Sequence, residues 1–505
     1  MNKAAMRTKK DYYYIVTAIT VAAMLAFYGV YALPTFQTDT YAKWFYSQNG
    51  YIEQCFSTAR YGEALYVWLS FHTSGNPVQH GFTHVAIACF INCVITIYIW
   101  HVFAGRLKIY EEEGKETLKA ALILGVICLR VNVFNSDIFQ YGYDAAVTFL
   151  GDAFAISAAV IVSKKGNYKR YLLACIMSII SVTFRQTCLF WFVIMSVLLY
   201  YMDYLAKKEY SCFREIIKRI GIYLSGGLFS VLCIKVFVPG SVRGSLDRVD
   251  LHATWTNLRG VIKALFFDCL GIMPKYFYTV LLLIMGSLLL FYTLTANWDK
   301  NRWGLLLNSS ISLIGIFLAT FITAIFDTWL PHRVLVGFIT WLPVLIIMSV
   351  GGVAKEQSTS RIRRYAISVP IMLFFMFISW YFTMNIFRGQ VITNAVDQRD
   401  AQFYYEQIRE YENLTGCEVK NVAYKRDENY TEVLPGVIAA KSINERAFST
   451  PWAQREIIRL LEGKILRVVP FDDHIYDSWF YGKDWETLSN EQVKCVGDTA
   501  YIMLY

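Results

Sequence analysis

Asp39, in the run LPTFQTDTYAKW, is a carboxylate a few residues beyond a long apolar stretch, where a membrane-bound reaction would need a group to take a proton from a hydroxyl. Tyr41 and Trp44 follow it, and Arg60 and Tyr61 stand about twenty residues on in ARYGEAL. Those types supply cations for a phosphate and ring faces for a sugar. Thr-Asp-Thr before an amphipathic stretch is also a helix-cap signature. Asp39 therefore reads as a general base, with capping the alternative. Arg333, in PHRVLVGF, follows a Pro at the start of an apolar run, where a guanidinium can grip phosphate bidentately. Its other reading is snorkelling to lipid phosphate.

Asp144, Thr148 and Asp152 are spaced i, i+4, i+8, one polar stripe on a single helix face. Charged groups inside spans are costly, so such a stripe is expected to line a substrate cavity, an inter-helix polar contact being the alternative. Arg130 and Arg185 fall near helix ends. Pairing with Asp137 or Asp144 is the favoured reading for both, and contact with an anionic headgroup the other. Arg185 and Asp144 also count among the candidate substrate-binding residues. His80 and His84 have the spacing of a zinc pair, but no Glu follows the first and no third ligand is placed, so no metal is expected there.

These groups need elements to hold them, and the composition states which kind. Of 505 residues, 56% are hydrophobic and only 17% charged, which excludes an ordinary soluble enzyme and describes a polytopic α-helical membrane protein. The 35 Tyr, 35 Phe and 13 Trp suit helix ends at headgroup level. A net charge of +9 reports basic loops against anionic lipid, and no nucleic-acid partner is expected.

About eleven apolar runs are long enough to cross a bilayer about 30 Å thick. The first spans residues 12–33 behind Lys3, Arg7, Lys9 and Lys10, which puts the N-terminus in the cytoplasm. Others cover 82–105, 118–134, 144–162, 221–238, 277–295, 304–326, 334–353 and 365–387, and a stretch over 171–202 reads as two short helices meeting at Arg185-Gln186. Basic residues gather in alternate loops: Arg106, Lys108, Lys115 and Lys119; Lys164, Lys165, Lys169 and Arg170; Lys207, Lys208, Arg214, Lys218 and Arg219; Lys300 and Arg302; Lys355, Arg361, Arg363 and Arg364. That side is expected to be cytoplasmic, which sends the chain after Phe387 outside. Two domains follow: a multi-spanning catalytic domain over 1–387 and a small extracytoplasmic α/β domain over 388–505.

The tail pattern predicts a helix over 391–414 with Phe403, Tyr404, Ile408 and Tyr411 on one face, and a strand over 418–424. A second helix begins at Pro451 and ends near Gly463, the strand ILRVV follows, and VKCVGDTAYIML makes a hairpin around Gly-Asp. Cys417 and Cys495 are the only pair placed for a bridge, and the sequence leaves it open whether they meet. The run 251–273 is amphipathic, an interfacial helix that could gate a lipid donor's approach or a further short span. The sequons at Asn413 and Asn429 are chance occurrences if the source is bacterial.

No cytoplasmic loop has room or a motif for a nucleotide. Chemistry is therefore expected on the outer side, drawing on a sugar carried across the membrane on polyprenyl phosphate. The acid after the first helix, the Arg-Tyr-Gly element at Arg60, PHRVLVGF, FQYGYDAAVTFLGDAFA, SVTFRQTCLFWF and the Gly-Asp hairpin of the tail together resemble the O-antigen glucosyltransferase family of the Gtr type. The resemblance implies a GT-C-like integral membrane enzyme of the bacterial inner membrane that moves glucose from polyprenyl phosphate onto a surface polysaccharide such as O-antigen, with inversion. By the same match Asp39 is the base, and Arg60 and Arg333 bind phosphate. Where the family commonly carries a second adjacent acid this chain has Thr40. One carboxylate with Glu53 or Glu63 as helpers makes a poor divalent site, so no cofactor is expected. The alternative class is a transporter or flippase of lipid-linked sugars, although no pseudo-repeat with broken midplane helices is visible.

Overall fold

A computed structural model describes residues 3–111, 115–164, 168–207, 213–237, 251–296, 302–321, 330–354, 365–428 and 430–505. Basic positions Lys165, Lys208, Lys300, Lys355, Arg361, Arg363 and Arg364, most of the loop before residue 251, Asp327 and Asn429 lie outside them. The chain divides into two compact units, residues 1–33 with 47–384, and residues 34–46 with 385–505.

The first unit is helical. It opens with α1 (Lys3–Tyr28), and after α2 (Thr38–Lys43), which belongs to the other unit, come α3 (Gln48–Ser57), α4 (Tyr61–Thr73) and α5 (Gly81–Leu107). Then follow α6 (Glu116–Arg130), α7 (Asn135–Phe139), α8 (Tyr143–Ser163), α9 (Tyr168–Phe184), α10 (Leu189–Lys207) and α11 (Phe213–Phe237). The remainder are α12 (Leu251–Asp268), α13 (Phe277–Ala296), α14 (Arg302–Phe321), α15 (Val336–Ile339), α16 (Trp341–Val353) and the first part of α17 (Ser368–Thr415).

Among the described residues six helices are long and apolar enough to cross a membrane, in the regions 11–32, 81–107, 143–163, 186–205, 215–236 and 368–415. Shorter apolar helices lie at 277–288, 306–321 and 341–353. Outward faces of these helices are apolar, as with Phe90, Leu228, Leu283 and Leu318, which suits lipid as the solvent. The expected break at Arg185 is present. Arg185 is extended, residues 186–188 form a single 3-10 turn, and α10 starts at once. Helices pack closely where the facing residue is small. A Cβ on Gly151 of α8 would stand 2.6 Å from Cys188 Sγ, and one on Gly62 of α4 would stand 2.7 Å from Thr183 Oγ1.

The second unit is built on a four-stranded mixed sheet, β1 (Asn421–Arg426), β2 (Arg467–Val468), β3 (Val493–Val496) and β4 (Thr499–Leu504), in the order β2-β1-β4-β3. β1 pairs parallel with β2 and β4, and β3–β4 is the Gly-Asp hairpin, with Gly497 at φ +58°. Alternation along β4 separates two faces. Ala500, Ile502 and Leu504 join a core with Ala401, Tyr404 and Ile408 of α17 and Ala453, Ile457 and Ile458 of α18 (Pro451–Glu462). Tyr501, Met503 and Tyr505 face an aromatic cluster around Phe480 and Trp485. Pro451 starts α18, and Gly463 at φ +70° ends it in the left-handed conformation that glycine adopts without steric cost. Cys417 and Cys495 are both free thiols; Cys417 Sγ donates to the Gly497 carbonyl at 3.2 Å.

The tail helix expected over 391–414 is the last part of α17, a single helix of 48 residues that supplies both units. Residues 34–46, which the sequence pattern groups with the membrane part, belong to the tail core: Tyr41 is buried there and α2 packs on α18.

Candidate functional site

In the first unit the ends of α4, α8 and α9 bring together Arg60, Glu63, Tyr143, Asp144 and Arg185. Arg60 is the residue immediately before α4, and its Nη1 lies 3.4 Å from Glu63 Oε2, one turn on. Glu63 is only 2% exposed. Its other oxygen stands 3.5 Å from Arg185 Nη2 and accepts from the Tyr143 hydroxyl at 3.5 Å. Arg185 Nη2 also meets Asp144 Oδ1 at 2.7 Å. The extended backbone at Arg185 releases this side chain from the helical register of α9 and lets it reach α8. Tyr51 sets its ring edge to face with Tyr143 at 5.6 Å, closing one side.

Arg333 forms the neighbouring pair. Its Nη1 lies 2.8 Å from Asp137 Oδ1 and donates to the Tyr141 hydroxyl at 3.2 Å, and its backbone N–H donates to Asp137 Oδ2 at 3.0 Å. Burial alone would lower its pKa, but Asp137, the Tyr141 hydroxyl and Asp144 raise it, with Arg185 opposing. The Asp137–Arg333 and Asp144–Arg185 pairs thus act on one another. Three guanidiniums face three carboxylates. The Nε–H groups of Arg60 and Arg185 are buried and have no hydrogen-bond partner among the described residues. An anion with several acceptor oxygens is what such donors lack.

Arg130 does not reach Asp137 or Asp144. It is fully buried, its Nη2 is 2.9 Å from Asp152, its Nε donates to Asn92 at 2.8 Å, and the guanidinium lies 4.1 Å from the Trp191 ring centroid. The expected stripe on α8 is therefore divided. Asp144 serves the Arg185 cluster, Asp152 pairs with Arg130, and Thr148 donates to the Asp144 carbonyl at 2.7 Å. His84 contacts the Tyr66 hydroxyl at 2.5 Å and Ser70 at 3.3 Å through its two nitrogens. No His, Cys, Asp and Glu group that could hold a metal occurs among the described residues.

Asp39, Tyr41 and Trp44 belong to the second unit. Asp39 sits in the first turn of α2, where the helix dipole favours an anion. Gln37, not Asp39, is the N-cap, its side chain accepting from the Thr38 N–H at 2.8 Å. The Asp39 carboxylate is 38% exposed and stands 3.7 Å from Lys43 Nζ. Tyr41 offers no ring face to a substrate. It is buried in the tail core with Phe36 stacked on it at 5.3 Å, because its place on α2 faces α18. Trp44 is half-buried, its ring tilted against Phe36. Tyr61 is half-buried beside Phe56.

Sequence reasoning named Glu63 only as a helper and missed Tyr143 and Asp137 as site residues. The signal for Glu63 was present in its i, i+3 spacing from Arg60 at a helix start. Asp137 and Tyr143 carry no such signal, because their partners lie 196 and 80 residues away.

No protein-family model, curated protein or solved structure matches the chain.

Proposed function

We propose that the chain is a membrane glycosyltransferase that moves a hexose, glucose by the family resemblance, from a polyprenyl-phosphate donor to a cell-surface polysaccharide such as O-antigen. The observation that carries this reading is the half-buried cluster of Arg60, Arg185 and Arg333, in which the Nε–H groups of Arg60 and Arg185 are buried with no acceptor among the described residues. Ionisable groups within an apolar bundle are expensive and mark substrate paths, and a lipid-linked phosphate supplies the oxygens these donors lack. Glu63, Asp144 and Asp137 hold the guanidiniums in place before the donor arrives, so that little reorganisation remains at the moment of reaction.

In this reading the acceptor hydroxyl oxygen attacks the anomeric carbon while Asp39 takes its proton, and the bond from that carbon to the phosphate oxygen breaks. The electron pair leaves with the lipid phosphate, whose growing charge the arginines offset. The half-exposed carboxylate of Asp39 supports that role, since an acceptor can approach it. The proposal takes eleven crossings in a GT-C-like arrangement in a bacterial inner membrane. The N-terminus and the basic loops are then cytoplasmic and the tail extracytoplasmic, and the Lys and Arg distribution supports that orientation.

The test supplies membranes with radiolabelled polyprenyl-phosphate glucose and acceptor glycan. Asp39→Asn should lower transfer by roughly 10²–10⁴-fold, the usual worth of a general base. Unchanged transfer removes Asp39 from its role, and lipid movement across the bilayer with no transfer by the wild type favours the flippase class.

A further inference from the structure

The tail carries an aromatic surface that the transfer chemistry does not use. Residues 471–485 cover the face of β4 that bears Tyr501 and Met503, and within them Tyr476–Phe480 form a π-helical turn. The Tyr481 N–H closes it on the Tyr476 carbonyl at 2.9 Å. Such turns are rare and recur at functional sites. Here the wide turn drives Phe480 into the cluster, at 1% exposed, and turns Tyr481 outward at 74% exposed. Tyr476 stands edge-on to Tyr481 at 6.4 Å, and the Trp479 indole donates to the Glu491 carbonyl at 3.0 Å, which fixes its plane.

Charge around this surface selects its ligand. Residues 471–491 hold six Asp and Glu, which outnumber the lysines on these rings, Lys425, Lys483 and Lys494, so a polyanion or an anionic lipid surface is repelled. A cationic partner is disfavoured too, since Lys425 already lies 3.5 Å from the Tyr476 ring centroid and Lys483 and Lys494 lie 4.5 and 3.9 Å from that of Trp479. What remains is a neutral, hydroxyl-rich ligand. Its C–H faces can stack on Tyr481, and its hydroxyls can donate to carboxylates and accept from lysine ammonium groups.

We propose that the π-helical turn at Tyr476–Phe480 and the adjoining Tyr481 form a binding platform for a neutral polysaccharide. That this polysaccharide is the acceptor rests on the transferase reading, whereas its binding can be measured without any transfer.

The experiment uses the full chain in nanodiscs, titrated with dextran and mannan as neutral probes, and with polygalacturonate and phosphatidylglycerol vesicles as acidic ones. Tryptophan fluorescence and affinity electrophoresis report binding. At least one neutral polysaccharide should bind, and Tyr481→Ala, an exposed position, should weaken it about tenfold with an unchanged melting temperature. Trp479→Phe should weaken it as well. Failure of both neutral probes to bind, binding indifferent to Tyr481→Ala, or binding of the acidic probes in their place overturns the proposal. Binding by the wild type without any transfer would instead count against the transferase reading and leave the platform standing.

Discussion

Arg130 and Asp152 show how much a single side chain is made to carry. Both are buried, and removing one partner leaves a charge in an apolar bundle with nothing opposite. Asp152→Asn should destabilise the fold by about 3–5 kcal/mol, whereas the double change Arg130→Met with Asp152→Leu should recover most of that loss. Thermal unfolding in detergent measures both. A double variant no more stable than the single one would mean that the pair, rather than its charge, shapes the bundle. In the Arg185 cluster the expectation differs in kind. Arg185→Lys keeps the charge but removes the planar Nε–H donor, so on the transferase proposal transfer should fall chiefly through a higher KM for the lipid donor. Initial rates against donor concentration separate that from a fall in kcat.

At the scale of elements, close contacts rather than propensity decide what the helices tolerate. Gly151→Ala would set a methyl group against Cys188 Sγ and, at 3.2 Å, against the Ser181 carbonyl. The second neighbour is backbone and cannot swing away, so the change should cost about 1–3 kcal/mol and displace the turn that presents Arg185. Melting temperature should therefore fall, and on the transferase proposal transfer should fall with it. Gly497→Ala in the tail hairpin forces a positive φ on a side-chain-bearing residue. A loss of roughly 1 kcal/mol in tail stability is expected, measurable by hydrogen exchange across β3 and β4.

Most elements were legible because their signals are local. The apolar runs, the break at Arg185, Pro451 and Gly463 around α18, and the Gly-Asp hairpin each sit within a few residues of what they specify. The ILRVV strand shrinks to Arg467–Val468, which pair with β1 alone. The single helix α17 was read as two because its character changes from apolar to amphipathic midway, and nothing in the helical period marks such a change as continuous. The site was less legible. Arginines and carboxylates could be nominated by type, but Arg130 choosing Asp152 over Asp137, or Tyr41 facing a core rather than a ligand, depends on packing between distant segments.

At the scale of the whole molecule, the tail's core is completed from the other end of the chain. Phe36 N–H donates to the Asn394 side chain at 2.7 Å and that side chain donates back to the Phe36 carbonyl at 2.7 Å, while Tyr41 fills the core beside Ile457 and Tyr404. Tyr41→Ala should leave a cavity costing about 3–5 kcal/mol. Limited proteolysis should then cut within 385–505 at protease levels that spare the helices of residues 47–384.

That arrangement also sets a timetable for biogenesis. Tyr41 leaves the ribosome early, yet the strands and α18 that enclose it come after more than three hundred further residues, tens of seconds later at roughly 5–20 residues per second. Until then an aromatic-rich stretch waits uncovered, and a chain cut short anywhere before β4 leaves it so permanently. An unfinished copy therefore exposes the apolar surface that the complete core buries, the kind of surface on which partly folded chains aggregate.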